Sequence, residues 1–298
     1  MRIGIDLGGT KIEGIRLDES GKADKKIRIG TPATSYDDVI KATCSLINNL
    51  QTKKRLTVGI GTPGTLDSKK NIMRNSDSLC LNGKPFKKDI ENELGYSVEV
   101  ENDANCFTLS EANYGTGEGF ECVFGVVLGT GCGGGLVQRK ALINGPNRIA
   151  GEWGHNCMPV SVRKLIESDR LCHCGRINCI ETVLSGRGLK QTFRELSAIE
   201  MEPREISEQA RLNNSEAIDC IDIYARQLAG CLSTIINIID PDVIVLGGGL
   251  SNIKSLYQLI PKYLRGQVFN DTVLTKVAPA SFGDASGARG AACLWPKS

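Results

Sequence analysis

The chain has 298 residues, with 36 Lys and Arg against 34 Asp and Glu and a formal net charge of +2. That balance leaves no basic footprint for nucleic acid and gives no reason to expect a membrane surface as partner. Hydrophobic residues at 41% and charged residues at 23% are ordinary for a soluble globular protein, no apolar run approaches a membrane span, and the length allows a large core in two lobes.

Residues 2–30 read as three strands turning at Gly8-Gly9 and Glu19-Ser-Gly21. The opening stretch, Ile3-Gly-Ile-Asp-Leu-Gly-Gly-Thr-Lys11, is an apolar strand that breaks at two glycines. There the backbone N–H groups can approach a phosphate closely, and Thr10 and Lys11 add a hydroxyl and an ammonium. Asp6, at the strand's end, is placed to hold a cation; a plain hairpin turn is the competing reading. Helical spacing follows over 36–50, with Ser35 as N-cap. A strand over 56–60 runs into the turn Gly61-Thr-Pro-Gly64, 68–84 is polar and loop-like, 86–94 is a helix ended by Gly95, 98–100 is a strand and 104–114 a helix. Val123-Phe-Gly-Val-Val-Leu-Gly-Thr-Gly-Cys-Gly-Gly-Gly135 repeats the opening design, and a strand resumes over 135–138. Little periodicity marks 139–181. Helices are expected over 186–196, 204–212 and 215–239, the last stopped by Asp240-Pro241. A strand at 243–246 enters Gly247-Gly-Gly249, and a helix near 253–264, a strand near 273–277 and a small-residue helix over 283–292 close the chain. Strands mixed with helices throughout predict an α/β fold. Three strand-to-glycine junctions predict one nucleotide held from several sides, although neither P-loop nor dinucleotide spacing is present.

Two constellations carry further chemistry. In Glu101-Asn-Asp-Ala-Asn105 an aspartate stands where a strand meets a helix; Asp103 can cap that helix or accept a proton from an attacking hydroxyl. The second is Gly151-Glu-Trp-Gly-His155 with Cys172-His-Cys-Gly-Arg-Ile-Asn-Cys179. Three cysteines and an upstream histidine suit structural zinc, with His155 the better ligand because His173 lies between two cysteines. A buried histidine among unrelated cysteines is the alternative. Glu152 and Glu181 flank the cluster and could accept sugar hydroxyls, or be ordinary surface glutamates. The rest of the twelve cysteines read as small buried hydrophobes in a long chain without a signal peptide, expected to be cytoplasmic.

Taken together, these motifs resemble the ROK family (repressors, open reading frames and sugar kinases) over nearly the whole chain. The likeness rests on Asp6-Leu-Gly-Gly-Thr-Lys11, Leu128-Gly-Thr-Gly-Cys-Gly-Gly-Gly135, Val245-Leu-Gly-Gly-Gly249, the Asp103 segment and the Glu/His/Cys signature through Glu181. Asn178 departs from the glycine usual there, which alters a turn without removing the metal. The resemblance implies an actin-like ATPase fold with a nucleotide and sugar cleft between a small lobe (1–115 plus 285–298) and a larger one (116–284). It implies Asp103 as general base, with Gly64, Asn75, Asn102, Glu152, His155 and Glu181 holding the sugar. Gly8, Gly9, Thr10, Lys11, Gly129, Thr130 and Gly131 would cradle the phosphates of ATP, Gly247, Gly248 and Gly249 would take the adenosine side, and Asp6 would position Mg²⁺ through water. His155, Cys172, Cys174 and Cys179 would bind structural Zn²⁺. Family repressors carry an N-terminal helix-turn-helix, for which a phosphate strand beginning at Ile3 leaves no room; a homodimer is expected. Within the family, Asn75–Phe86, Trp153-Gly-His-Asn156 and Leu294-Trp-Pro296 are most similar to fructokinases that also take mannose. The expectation is therefore phosphorylation of fructose or mannose at O6, with Trp153 narrowing the space an acetamido group would need; N-acetylglucosamine kinase or glucokinase is the alternative.

Overall fold

The structure is a computed structural model that describes residues 1–32, 35–76, 78–283 and 286–295. It divides into two compact units, Met1–Gly119 with Gly135–Ala150 and Ser281–Ser298, and Phe120–Gly134 with Gly151–Ala280. The stretch 135–150, which the sequence reading assigned to the larger lobe, belongs to the first unit.

In the first unit, β1 (Arg2–Leu7), β2 (Lys11–Leu17), β3 (Ala23–Gly30), β4 (Thr57–Thr62) and β7 (Glu99–Asn102) form one sheet in the order β3-β2-β1-β4-β7. The helices α1 (Tyr36–Leu50), α2 (Phe86–Leu94) and α3 (Asp103–Tyr114) and the small β5 (Thr65–Leu66) and β6 (Met73–Arg74) hairpin complete this part of the chain. Ser35 Oγ accepts the Asp38 N–H to start α1, and Gly95 ends α2 in the left-handed region at φ 75°, as their side-chain chemistry dictates. β1, β4 and β7 run parallel, with Asp6 beside Gly61 and Thr62 beside Asn102. Their carboxyl ends therefore share one edge of the sheet, and the Gly8–Lys11 turn, Gly64 and Asp103 all issue from it. The core below is Ile3, Ile5, Ile47, Val58, Ile60 and Phe86.

The second unit begins with β8 (Cys122–Leu128) and β9 (Cys132–Gln138), whose far end pairs with β10 (Ala141–Leu142) in the first unit's 135–150 segment. Short helices α4 (Val160–Arg163) and α5 (Glu181–Leu184) precede α6 (Gly186–Ser197), α7 (Pro203–Arg211) and the 25-residue α8 (Ser215–Ile239). Asn214 caps α8, and Asp240 ends it at φ 50°, one residue before Pro241. β11 (Val243–Gly247) runs parallel to both β8 and β12 (Lys276–Pro279). The helix expected near 253–264 is α9 (Leu256–Leu264), preceded by a separate 3₁₀ turn at Gly249–Asn252. Burial raises the thiol pKa of Cys106, Cys132 and Cys231, in line with their service as small hydrophobes. Among the described residues no helix is long and apolar enough to cross a membrane.

The chain returns to the first unit through Ser281 and ends in α10 (Ser286–Ala291); Asp284 and Ala285, part of the expected closing helix, and Pro296 lie outside the described residues. α10 fits only because its residues are small: a Cβ on Gly290 would sit 1.6 Å from the Cys106 carbonyl, and one on Gly4 would sit 1.9 Å from that of Ala288. The fully buried Glu111 fastens this return. Its carboxylate accepts the N–H groups of Thr116, Ser281 and Phe282 and the hydroxyl of Ser286, at 2.9 to 3.2 Å. Glu111→Ala strands those donors in a buried place and is expected to cost about 3–5 kcal/mol, read as a shift in the urea midpoint; a change below about 1 kcal/mol would show that water replaces the carboxylate without penalty.

Candidate functional site

In the first unit the Gly8 N–H donates to the Lys11 carbonyl at 2.9 Å and the Thr31 hydroxyl donates to the Gly8 carbonyl at 2.7 Å, which closes a tight turn and leaves Gly9 and Thr10 exposed. Asp6 lies at the mouth of this turn. Its carboxylate faces Gly287 of α10, where a Cβ would come within 2.7 Å, so the helix must be bare at that point.

Asn102 is the cap of α3, accepting the N–H of Ala104 at 2.9 Å and of Asn105 at 3.4 Å. Asp103 therefore stands at the first helical position with an exposed side chain, accepting the Ala104 N–H at 2.8 Å. The capping role weighed for Asp103 falls to its neighbour. Asn102 Nδ2 donates to the Gly64 carbonyl at 3.2 Å. Gly64, at φ 85°, packs so closely on Arg74 and Ser76 that a Cβ would sit 2.5 Å from the Arg74 carbonyl. Gly64, Asn102 and the exposed Asn75 thus form one neighbourhood, although Asp77 of the segment thought to set specificity lies outside the described residues. Sequence reasoning gave Glu101 no role. It is buried, and Oε1 accepts both the Asn102 N–H at 2.9 Å and the Asn105 amide at 3.0 Å.

In the second unit the Gly129 N–H donates to the Gly131 carbonyl at 3.0 Å, which turns β8 into β9, and the Gly186 N–H donates to the Gly129 carbonyl at 2.8 Å. That bond seats the N-terminus of α6 against the glycine turn. Gly248, at φ 80°, lies on the Leu128 carbonyl, 2.4 Å from where its Cβ would be. Gly129, Thr130 and Gly249 line a cavity of about 920 Å³; Gly247 is buried within β11 and does not. Arg187, Lys190 and Arg204 line the same cavity. Cations and the positive end of a helix both suit phosphate. No spacing rule in the sequence pointed to these α6 and α7 residues.

Nearby in this unit, one donor atom from each of His155, Cys172, Cys174 and Cys179 lies within 4.8 Å of the others. Cys174 Sγ is 3.6 Å from Cys179 Sγ, and Cys172 Sγ is 3.6 Å from His155 Nδ1. A tetrahedral site with Zn–S bonds of about 2.3 Å needs sulfur atoms about 3.8 Å apart, so the set fits a zinc-sized ion with little movement. The backbone N–H and the side chain of Arg176 pull the Cys174 thiol down to about 6, whereas burial pushes Cys179 up to about 12 and raises Cys172. Asn178 holds the left-handed turn at φ 58° and donates to Asp169, so the departure from glycine keeps the loop closed. His173 Nδ1 lies 2.8 Å from Glu181 Oε1. Glu181 Oε2 accepts the Cys132 N–H at 3.0 Å, and Glu181 is buried, not a surface carboxylate. Glu152 is half-buried, and that burial raises its pKa against the opposing pull of His155.

The ROK family model matches residues 2–298. The chain belongs to the ROK family. It is 37% identical over 299 residues to an N-acetyl-D-glucosamine kinase of Photobacterium profundum, covering 99% of each chain. It is 37% identical over 300 residues to one of Pectobacterium atrosepticum, covering 99% of this chain and 98% of that one. Among solved structures, a ROK hexokinase from Thermus thermophilus superimposes with a TM-score of 0.84 at 27% identity, covering 98% and 96% of the two chains. A ROK glucokinase from Streptomyces griseus, solved with glucose and AMPPNP, has a TM-score of 0.77 at 29% identity, covering 98% of each. These neighbours and the two α/β units establish the actin-like sugar-kinase fold. The two curated relatives are N-acetyl-D-glucosamine kinases, where the sequence points to fructokinases and mannokinases. The steric premise at Trp153 is not met: Trp153 is 3% exposed, its indole N–H donates to the Gly133 carbonyl at 3.0 Å, and its ring stands edge-on to Phe124. The ring is packed into the unit's core, where it cannot crowd a ligand.

Proposed function

We propose that this ROK-family sugar kinase transfers the γ-phosphate of ATP to the 6-hydroxyl of N-acetyl-D-glucosamine. The observation that carries the choice of sugar is the inward packing of Trp153, which removes the steric objection to an acetamido group; the named relatives point the same way. Asp103 is the general base. Its carboxylate is exposed at the start of α3 and accepts the proton that the hydroxyl loses as it attacks phosphorus. Asn102 spends its oxygen on the cap and one amide hydrogen on Gly64, which leaves the other amide hydrogen for a sugar hydroxyl. Gly64, Asn75, Glu152, His155 and Glu181 are the remaining sugar-binding groups in this reading. Phosphate oxygens are received by the N–H groups of Gly8 to Lys11 and Gly129 to Gly131, with the Lys11 ammonium offsetting charge.

Two ions fit the residues present. Asp6, in the niche that bare Gly287 provides, would hold Mg²⁺ through water, and the ion would supply charge neutralisation between the β- and γ-phosphates. The Cys₃His set would hold zinc through His155 Nδ1, which leaves Nε2 for the sugar.

A hexose panel read by ADP release tests the assignment. kcat/KM for N-acetylglucosamine is expected to exceed that for fructose, mannose and glucose by about tenfold or more. A higher value for fructose or mannose would restore that specificity, and no ADP with any hexose would sink the kinase assignment itself.

A further inference from the structure

The loop 169–179 has almost no core of its own. Leu171 and Ile177, which bridge across it, are 76% and 57% exposed. It is closed by few backbone bonds, among them Cys172 N–H to Arg176 O at 2.8 Å and Asn178 N–H to Arg170 O at 2.8 Å. An ion drawn to its thiolates would therefore supply most of its order. Arg170 in this loop and Glu181 just after it hold the elements that line the nucleotide cavity. The guanidinium of Arg170, 2% exposed, donates to the carbonyls of Thr182 and Gly188 at 3.1 and 3.2 Å and to Thr192 Oγ1 at 3.1 Å, and pairs with Glu195 at 2.7 Å. Three of those four partners are on α6, whose first residues line the cavity. Glu181, two residues after the ligand Cys179, accepts the Cys132 N–H beside the Gly129–Gly131 turn. The Gly186 to Gly129 bond joins α6 to that turn and closes the ring.

We propose that metal binding at the Cys₃His cluster and nucleotide binding at the glycine turn are coupled, with Arg170 and Glu181 as the positioning residues that carry the coupling. The inference rests on the metal and nucleotide assignments of the preceding section. The loop is the two-state element. When it is ordered, Arg170 anchors α6 and Glu181 anchors the turn; when it opens, both anchors are released and the nucleotide must reorder them on binding. Coupling of this kind is reciprocal. Metal should tighten nucleotide binding and nucleotide should tighten metal binding by the same factor, without sugar present.

The test uses the purified full-length chain, loaded with zinc or stripped by a chelator that is then dialysed away, and calorimetric titration with AMPPNP and Mg²⁺ in the absence of sugar. The stripped chain is expected to bind AMPPNP about tenfold more weakly than the loaded one, and saturating AMPPNP is expected to lower the zinc Kd, read by competition with a chromophoric chelator, by the same factor. Arg170→Lys keeps a cation for Glu195 but lacks the fork by which one nitrogen serves the Thr182 and Gly188 carbonyls while the other serves Thr192 and Glu195. Its loaded and stripped Kd values should converge to within about threefold, whereas a merely structural loss would lower Tm and leave the ratio intact. Equal Kd values for loaded and stripped wild-type chain would overturn the coupling while the kinase assignment stands. A loaded chain that binds no AMPPNP would overturn both. Wild-type coupling in Arg170→Lys would overturn the role given to Arg170.

Discussion

Asp103→Asn is expected to lower kcat by about 10²–10⁴-fold while leaving sugar Kd and Tm nearly unchanged. The swap is close to isosteric, and an amide oxygen can still accept the Ala104 N–H that Asp103 Oδ1 accepts at 2.8 Å. What disappears is the proton acceptor. One negative charge is also lost from the first turn of α3, at a cost of about 0.3–1 kcal/mol. The structure separates this position from its neighbour. Asn102→Ala removes the cap and the link to Gly64 together, so it should destabilise the helix by about 1 kcal/mol and weaken sugar binding. A folded Asp103→Asn enzyme with wild-type kcat would take Asp103 out of the chemistry, and a large fall in Tm with turnover preserved would return it to a structural role at the helix start.

Why the strand-to-helix position of Asp103 is legible in the sequence, and the placement of Arg187 is not, is a matter of which interactions are local. The β1 strand and its glycine turn, the Ser35 and Asn214 caps, and the Asp240-Pro241 stop of α8 depend on residues a few positions apart, and each is written in the order of the chain. The edge that gathers Gly8–Lys11, Gly64 and Asp103 follows from the parallel β1-β4-β7 order once those strands are granted. Arg187, Lys190 and Arg204 sit on ordinary amphipathic helices, and only tertiary packing turns them toward the Gly129–Gly131 turn. Trp153 shows the same limit. Its size was legible but its direction was not, and direction decides whether an indole fills a core or narrows a pocket. The β5–β6 hairpin, whose second strand falls in the polar stretch 68–84, carries no sequence signal because two-residue strands are held by partners rather than by propensity. Arg170 carries no signal in the sequence, since its carbonyl and glutamate partners are 12 to 25 residues away.

The second large effect is expected at Cys174. Purified wild-type chain should carry about one zinc per chain, and Cys174→Ser should lose it, along with most of its sugar affinity. Cys174 is exposed, so the swap disturbs no packing, and the serine hydroxyl stays protonated at neutral pH where the Cys174 thiol, held at about 6, is ionised. Replacing an outer-sphere group around a metal typically costs 10–100-fold in affinity, and removing one of four direct ligands should cost more. With Leu171 and Ile177 exposed, nothing apolar would keep the emptied loop closed. Its opening should appear as new protease cleavage within 170–178 and as a rise in KM for sugar, through His155 and Glu181, that exceeds any fall in kcat. Cys157→Ser is the control. That thiol is also exposed and its backbone bridges to Cys179, but it is not one of the four clustered donors, so the zinc content should stay at about one. A Cys174→Ser chain that retains its zinc would move the metal to other ligands, and one that loses zinc yet keeps wild-type sugar affinity would show that the loop orders without it.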